Sequence, residues 1–292
     1  MTIEGVQTSN KEVPNILLRR PLDLSIVIRC GRDRNRLDRC ISSIDENVEI
    51  VVSAADDAPF LEELRVKGYK VASHRYGNWS IAAQAGINTA SNDDVIMMDV
   101  DSIFGEGAIR VIDTALKEGQ LLVQPRIIFL SDGTPISRIV TQAREYENQR
   151  EPKSYSPGLG LKVSELTEKI GVEGNVYNLS VAYGDDGDLD QRRRAAGIDV
   201  YVAEEALLYH DSISFEHELK TAYRFGVGER QTQAGNLNPK TLVDILREEF
   251  ISDEAKKYYD GVLAKYGIPT MAFMMLCRSA YMAGFFIEDK RR

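Results

Sequence analysis

Four short apolar runs, LSIVI (24–28), VEIVVSA (48–54), YKVASH (69–74) and DVIMMDV (94–100), are separated by segments of helical pattern, RNRLDRCISSI (34–44), PFLEELRVKG (59–68) and SIAAQAGINTA (80–90). Continuous apolar runs bounded by turn residues suit strands buried on both faces, and strand–helix alternation at this spacing predicts a mostly parallel sheet with helices on both sides. GAIRVIDTALKEG (107–119) and QLLVQPRIIFL (120–130) extend the series. Residues 131–180, with Pro135, Pro152 and Pro157, predict loops and short elements that shape a second binding region. A helix begins near Asp188 through LDQRRRAAG, DVYVAEEALLYH (199–210) returns as strand, and from Glu216 onward the pattern is helical. The expected organisation is a flexible lead-in over 1–20, an α/β domain over 21–215 divided near 130, and a helical extension over 216–292.

Composition narrows the function classes. The formal net charge is −9 with pI near 5.1, which argues against nucleic-acid binding, since that needs a basic field. An anionic substrate would have to be met by a local cation or a metal. Cys30, Cys40 and Cys277 show neither paired spacing nor an even count, so reduced thiols in a cytoplasmic setting are expected. The first residues, MTIEGVQTSNKEVPN, lack the apolar centre of a signal peptide. IPTMAFMMLCRSAYMAGFFI (268–287) has the length of a membrane span but carries Arg278 at its centre. A charge there is expensive in lipid, so the segment reads as a docking helix, with peripheral contact at the inner face of a membrane as its alternative.

Ligands of such sheets bind beyond the carboxyl ends of the strands. Asp99 and Asp101, in IMMDVDSIF (96–104), lie at such an end. Two carboxylates at i and i+2 can share a hard divalent cation; the plainer reading caps a turn with one and leaves the other solvated. A second acidic block, YGDDGDLDQRRRAAG (183–197), crowds Asp185, Asp186, Asp188 and Asp190 at a helix start. The macrodipole there favours negative charge, but capping requires fewer than four. A calcium loop fails, because its sixth position is Gln191 and its twelfth Gly197.

In order and spacing these pieces resemble family two of the inverting glycosyltransferases, which have the GT-A fold. LSIVIR and EIVVSAADD are similar to that family's opening strands. GNWSIAAQAGINTASNDDVIMMDVDS resembles its block ending in D-x-D, and DDGDLDQRRRAAGIDVYVAEEALLYH resembles its E-D block and closing histidine. The likeness covers roughly residues 24–212 and implies a nucleotide-sugar half over about 21–130 and an acceptor half over 131–215. It also implies a donor that is a nucleotide diphosphate sugar of UDP type, and Mn²⁺ or Mg²⁺ as cofactor. Asp101 would be the direct metal ligand. Asp99 would contact the donor ribose or the metal, and His210 would reach the metal or diphosphate. Asp186 would be the general base, with Asp185, in place of the family's glutamate, orienting the acceptor. Arg192 would pair with phosphate or with neighbouring carboxylates.

The chain departs from the family after the first strand, where Arg29-Cys30-Gly31-Arg32 stands for P-x-Y-N. It departs again after the second, where the acids are displaced and Asp56 is left as the uracil-type contact. Trp79 either packs in the core or stacks on a sugar. The helices after residue 216, with Tyr223, Arg224, Arg230 and Gln231, form part of the acceptor side or a lid, and Arg224 and Arg230 either reach the diphosphate or lie on a solvated basic face. The acceptor is left open among saccharide, lipid-linked intermediate, small metabolite and peptide. Two alternatives stand beside the transferase: a sugar-phosphate nucleotidyltransferase, for which Gly31-Arg32-Asp33-Arg34 is a poor phosphate loop, and a non-catalytic interaction protein of the same fold.

Overall fold

The computed structural model describes residues 20–150, 152–233 and 241–286. The expected lead-in, apart from Arg20, and Ile287 of the last apolar segment lie outside the described residues. Among the described residues the chain forms two compact units, one from residues 20–128 with 152–211, the other from residues 129–150 with those from Ser212 on.

The first unit is the α/β layer. Its opening series is β1 (Ser25–Gly31), α1 (Arg34–Ser42), β2 (Glu49–Ala55), α2 (Leu61–Val66), β3 (Lys70–His74), α3 (Trp79–Thr89) and β4 (Asp94–Asp99). β5 (Ser102–Phe104), α4 (Ala108–Lys117) and β6 (Leu122–Phe129) follow. The sheet order is β3-β2-β1-β4-β7-β6-β8-β5, where β7 is Leu159–Lys162 and β8 is Tyr201–His210. The first four strands in that order are parallel, as the uniformly apolar runs require, and β7 runs antiparallel to both β4 and β6. β5 pairs antiparallel with β8. Val27, Val51, Val95 and Met97 are completely buried in one core with Leu122, Leu159 and Tyr177. α3 lies close on the sheet because its residues are small; a methyl group at Gly86 would overlap Val27.

Because β1 to β4 are parallel, their carboxyl ends share one edge. The β1–β4 register sets Arg29 directly opposite Asp99, and β1 ends in a register shift between Arg29 and Gly31. Such irregularities re-aim side chains beside functional sites.

Residues 131–180 depart from the expectation of loops and short elements. They contain a sixteen-residue helix, α5 (Pro135–Arg150), as well as β7 and α6 (Val163–Ile170). Pro135 occupies the first helical position, where a missing N–H costs nothing, so it starts the helix instead of breaking it. The helix buries only Ser137, Val140 and Ala143, too few apolar residues to reveal a period.

α5 belongs to the helical unit, with α8 (Phe215–Gln233), α9 (Leu242–Leu246), a π-helical turn (Arg247–Ile251), α10 (Asp253–Tyr266) and α11 (Ile268–Phe286). α11 docks on α8, backbone against backbone: a methyl group at Gly226 would strike the Tyr281 carbonyl, and one at Gly284 the Tyr223 carbonyl. Arg278 is held by Glu249 at 3.2 Å and Glu147 at 3.7 Å, and this ionic partnership makes a mid-helix arginine affordable in a protein interior. None of the described helices is long and apolar enough to cross a membrane.

Candidate active site

The strand-end edge of the α/β unit gathers the acidic residues of both blocks. Asp99 arrives at the end of β4, and Asp185 and Asp186 open α7 (Asp185–Ala195), entered through Gly184 at φ 79°. Arg29 joins the two blocks. Its Nε and Nη2 lie 2.8 and 2.7 Å from Asp99 Oδ1, and its Nη1 lies 2.5 Å from Asp185 Oδ2. Burial opposes the charge on this guanidinium, yet the Asp99 and Asp185 carboxylates hold its pKa well above the ordinary arginine value. Arg29 was not singled out from sequence; its only signal there is a cation directly after a buried strand, in LSIVIRC.

Arg29 brings one positive charge to Asp99, Asp185 and Asp186, and the imbalance falls on the acids. Asp185, only 2% exposed, has its carboxyl pushed up by burial against the pull of Arg29. Asp186 is pushed up to about 8, by burial first and by the charge of Asp185 next, with Arg29 and Ser156 acting in the opposite direction. Ser156, buried in the loop before β7, donates its hydroxyl to Asp186 Oδ1.

The other two aspartates of the block have structural roles. Asp188 accepts from Arg192 Nε at 2.7 Å and Asn178 at 3.3 Å, while Asp190 takes Arg193, Arg194 and the backbone N–H of Ser154. Arg192 also donates to the carbonyls of Ile170 at 2.5 Å and Val176 at 2.9 Å. Of the two partners the resemblance allowed it, the structure gives the carboxylate. Arg192 ties α7 to the loop before it, and all three of its nitrogens have protein partners.

Asp101 and His210 meet through the β5–β8 ladder, which pairs Ser102 with His210, and through the Asp211 N–H that donates to the Asp101 carbonyl at 2.9 Å. His210 Nδ1 lies 2.9 Å from the Asp211 carbonyl, an acceptor only, so Nδ1 carries a proton. Its Nε2 lies 3.6 Å from Asp101 Oδ1, a buried oxygen without a hydrogen-bond partner. A ring N–H given to a backbone carbonyl is also how metal-bound histidines are oriented. Burial raises the Asp101 carboxyl, with His210 opposing. Among the described residues no three metal-ligating side chains converge on one point. Asp101 and His210 thus offer one oxygen and one nitrogen donor on the same strand pair. Asp99, held by Arg29, adds its negative charge to the burial that raises the Asp101 carboxyl. Arg36 approaches the pair, 3.9 Å from Asp101 and 3.7 Å from Asp211.

The remaining expectations fall around this cluster. Asp56 is exposed at the end of β2, and its backbone N–H donates to the His74 carbonyl at 2.9 Å. Its neighbour Asp57 binds Arg32, whose guanidinium covers the Tyr76 ring at 4.3 Å. Arg34 is likewise paired, with Asp38 and Glu63, so the basic turn after β1 is neutralised by protein carboxylates. Trp79 packs edge-on against Tyr183 at 5.5 Å. Arg230 lies in the helical unit and donates to the Phe285 carbonyl.

No protein-family model matches the chain, and no curated protein matches it in sequence. Among solved structures it is similar to GalNAc-T7, crystallised with UDP, GalNAc and Mn²⁺, at a TM-score of 0.51 and 14% identity over 84% of this chain. The chain spans 58% of the length of that protein. It is also similar to S. aureus TarS 1–349 in complex with UDP-GlcNAc, at a TM-score of 0.49 and 11% identity over 90% of each chain. The likeness to GalNAc-T7 shows the fold: a GT-A-like α/β sheet with helices, followed by C-terminal helices.

Proposed function

We propose that the chain is a metal-dependent, inverting glycosyltransferase that moves a sugar from a nucleotide diphosphate sugar, of UDP type, to a hydroxyl acceptor. The observation that carries this reading is the pairing of the unpartnered Asp101 Oδ1 with His210 Nε2 on the same sheet edge as Asp186. The fold shared with GalNAc-T7, which was solved with UDP, GalNAc and Mn²⁺, supports it.

In this reading Asp101 and His210 hold the divalent cation, which when bound would neutralise the diphosphate as it leaves. Asp186 takes the proton from the acceptor hydroxyl. The freed oxygen attacks the anomeric carbon on the face opposite the diphosphate, and the bond from that carbon to the phosphate oxygen breaks. The electron pair departs with the nucleoside diphosphate, and the configuration inverts. A carboxylate whose pKa rests near 8 suits this task, because proton transfer is most efficient when the base is matched to the working pH. Arg29 fixes Asp99 and Asp185 in place beside the base.

A thermal-shift panel tests the proposal. Mn²⁺ with UDP should raise the melting temperature more than UDP with chelator, and more than GDP, TDP or CDP with Mn²⁺. Asp101→Ala and His210→Ala should each remove the metal-dependent part of the shift. A panel flat for every nucleotide would refute the transferase reading, and a shift confined to triphosphates would favour nucleotidyl transfer.

A further inference from the structure

Behind Asp186 stand two buried hydroxyls that the reaction above does not use. Ser156 is completely buried and donates to Asp186 Oδ1. Tyr177, also completely buried, has a phenol with no partner at full hydrogen-bond geometry, and Ser156 and Asp186 are polar groups that act on it. A phenol left unsatisfied in a core forfeits the hydrogen bonds it made to water. A phenylalanine would avoid that cost, so the hydroxyl calls for a role.

We propose that Tyr177 and Ser156 are positioning residues that orient the base, the Ser156 hydroxyl fixing one oxygen of Asp186 and the Tyr177 hydroxyl fixing the direction in which Ser156 donates. The proposal rests on Asp186 being the base. Ser156 has one proton and two lone pairs. With its proton committed to Asp186 Oδ1, it can accept from Tyr177, and the chain Tyr177 → Ser156 → Asp186 then has a single polarity. Asp186 Oδ2 is left for the acceptor. This is the arrangement of an activated nucleophile whose base is held by a third group. Ser156 lies in the irregular loop before β7 and Tyr177 in the segment before α7, so the chain of hydroxyls also couples two loops to the helix start that carries the base.

The test compares Ser156→Ala, Ser156→Thr and Tyr177→Phe in the full chain. Difference infrared spectra read the protonated-carboxyl band that Asp186→Asn deletes. Arg29, Asp185 and Asp99 also bear on Asp186 and are untouched in all three variants. Losing the Ser156 donor should shift the pH midpoint of that band upward by about one unit, a tenfold change in proton affinity. Tyr177→Phe should move it in the same direction, and Ser156→Thr should restore the wild-type midpoint. UDP release from UDP-GlcNAc or UDP-GalNAc should fall at least tenfold in kcat for the alanine and phenylalanine variants, with donor KM unchanged. Unchanged midpoints in Ser156→Ala and Tyr177→Phe would overturn the proposal. Should Ser156→Ala not fold, Tyr177→Phe, which removes a single oxygen, decides alone. A wild-type chain that releases no UDP would instead count against sugar transfer, with the infrared comparison still deciding the present point.

Discussion

Replacing Asp186 by asparagine should stabilise the protein, and by an amount that depends on pH in a direction opposite to that of most aspartates. The carboxyl has an ordinary value of 3.8 and is pushed up to about 8 in the folded chain. Between these values the folded state keeps a proton that the unfolded state has released. The difference in protons bound, unfolded minus folded, is negative there, so stability falls as pH rises from about 4 to about 8 and is level above. Asparagine has no such slope. At pH 7 the unfolded carboxyl lies just over three pH units beyond its own midpoint, and at about 1.4 kcal/mol per unit the neutral side chain gains about 4 kcal/mol. Asp186 keeps some solvent contact, which screens the effect, so about 2 kcal/mol is expected. For a unit of this size that corresponds to roughly 4–8 °C in Tm. The one tryptophan, Trp79 on α3, lies in the same unit and reports its melting by fluorescence. Melts at pH 4, 6 and 8 should show the gap between Asp186→Asn and wild type widening with pH, while sugar transfer by the variant is lost. A gap that is absent, or constant across that range, would refute the reasoning.

Two further outcomes follow from the packing. Arg192→Ala strands the buried Asp188 carboxylate and two loop carbonyls, and should cost about 3 kcal/mol; because the arginine is structural, UDP binding by the folded fraction should be unchanged in calorimetry. Gly284→Ala sets a methyl group against the Tyr223 carbonyl, and the displacement of α11 from α8 should cost about 1–3 kcal/mol, read by chemical denaturation followed by circular dichroism.

β1 to β4 are legible in the sequence because each is buried on both faces, so its apolar run is unbroken. β5 and β7, of three and four residues, are too short to carry a period, and their antiparallel pairing depends on partners far along the chain. α5 is hidden by a proline at its start and a nearly polar surface. At the site, residue type and order were enough to single out Asp99, Asp101, Asp185, Asp186 and His210, which the fold brings to one edge. They were not enough to divide the roles of Asp188 and Asp190 from those of their neighbours, since that depends on which arginine each one meets. Arg29 became visible only through the β1–β4 register. Ser156 and Tyr177 carry no local signal, because what distinguishes them is burial beside a carboxylate distant in sequence.

β5, which carries the Asp101–His210 meeting point on its flank, is the last strand in the sheet order, three residues long and bonded on one side. Edge strands of that length fray, and fraying here would separate the two side chains by breaking the ladder that aligns them. Any ligand that bridges Asp101 and His210 therefore also clips the sheet shut, so its affinity includes the work of closing that edge. The sheet's short last strand and the Asp101–His210 pair are one mechanical element.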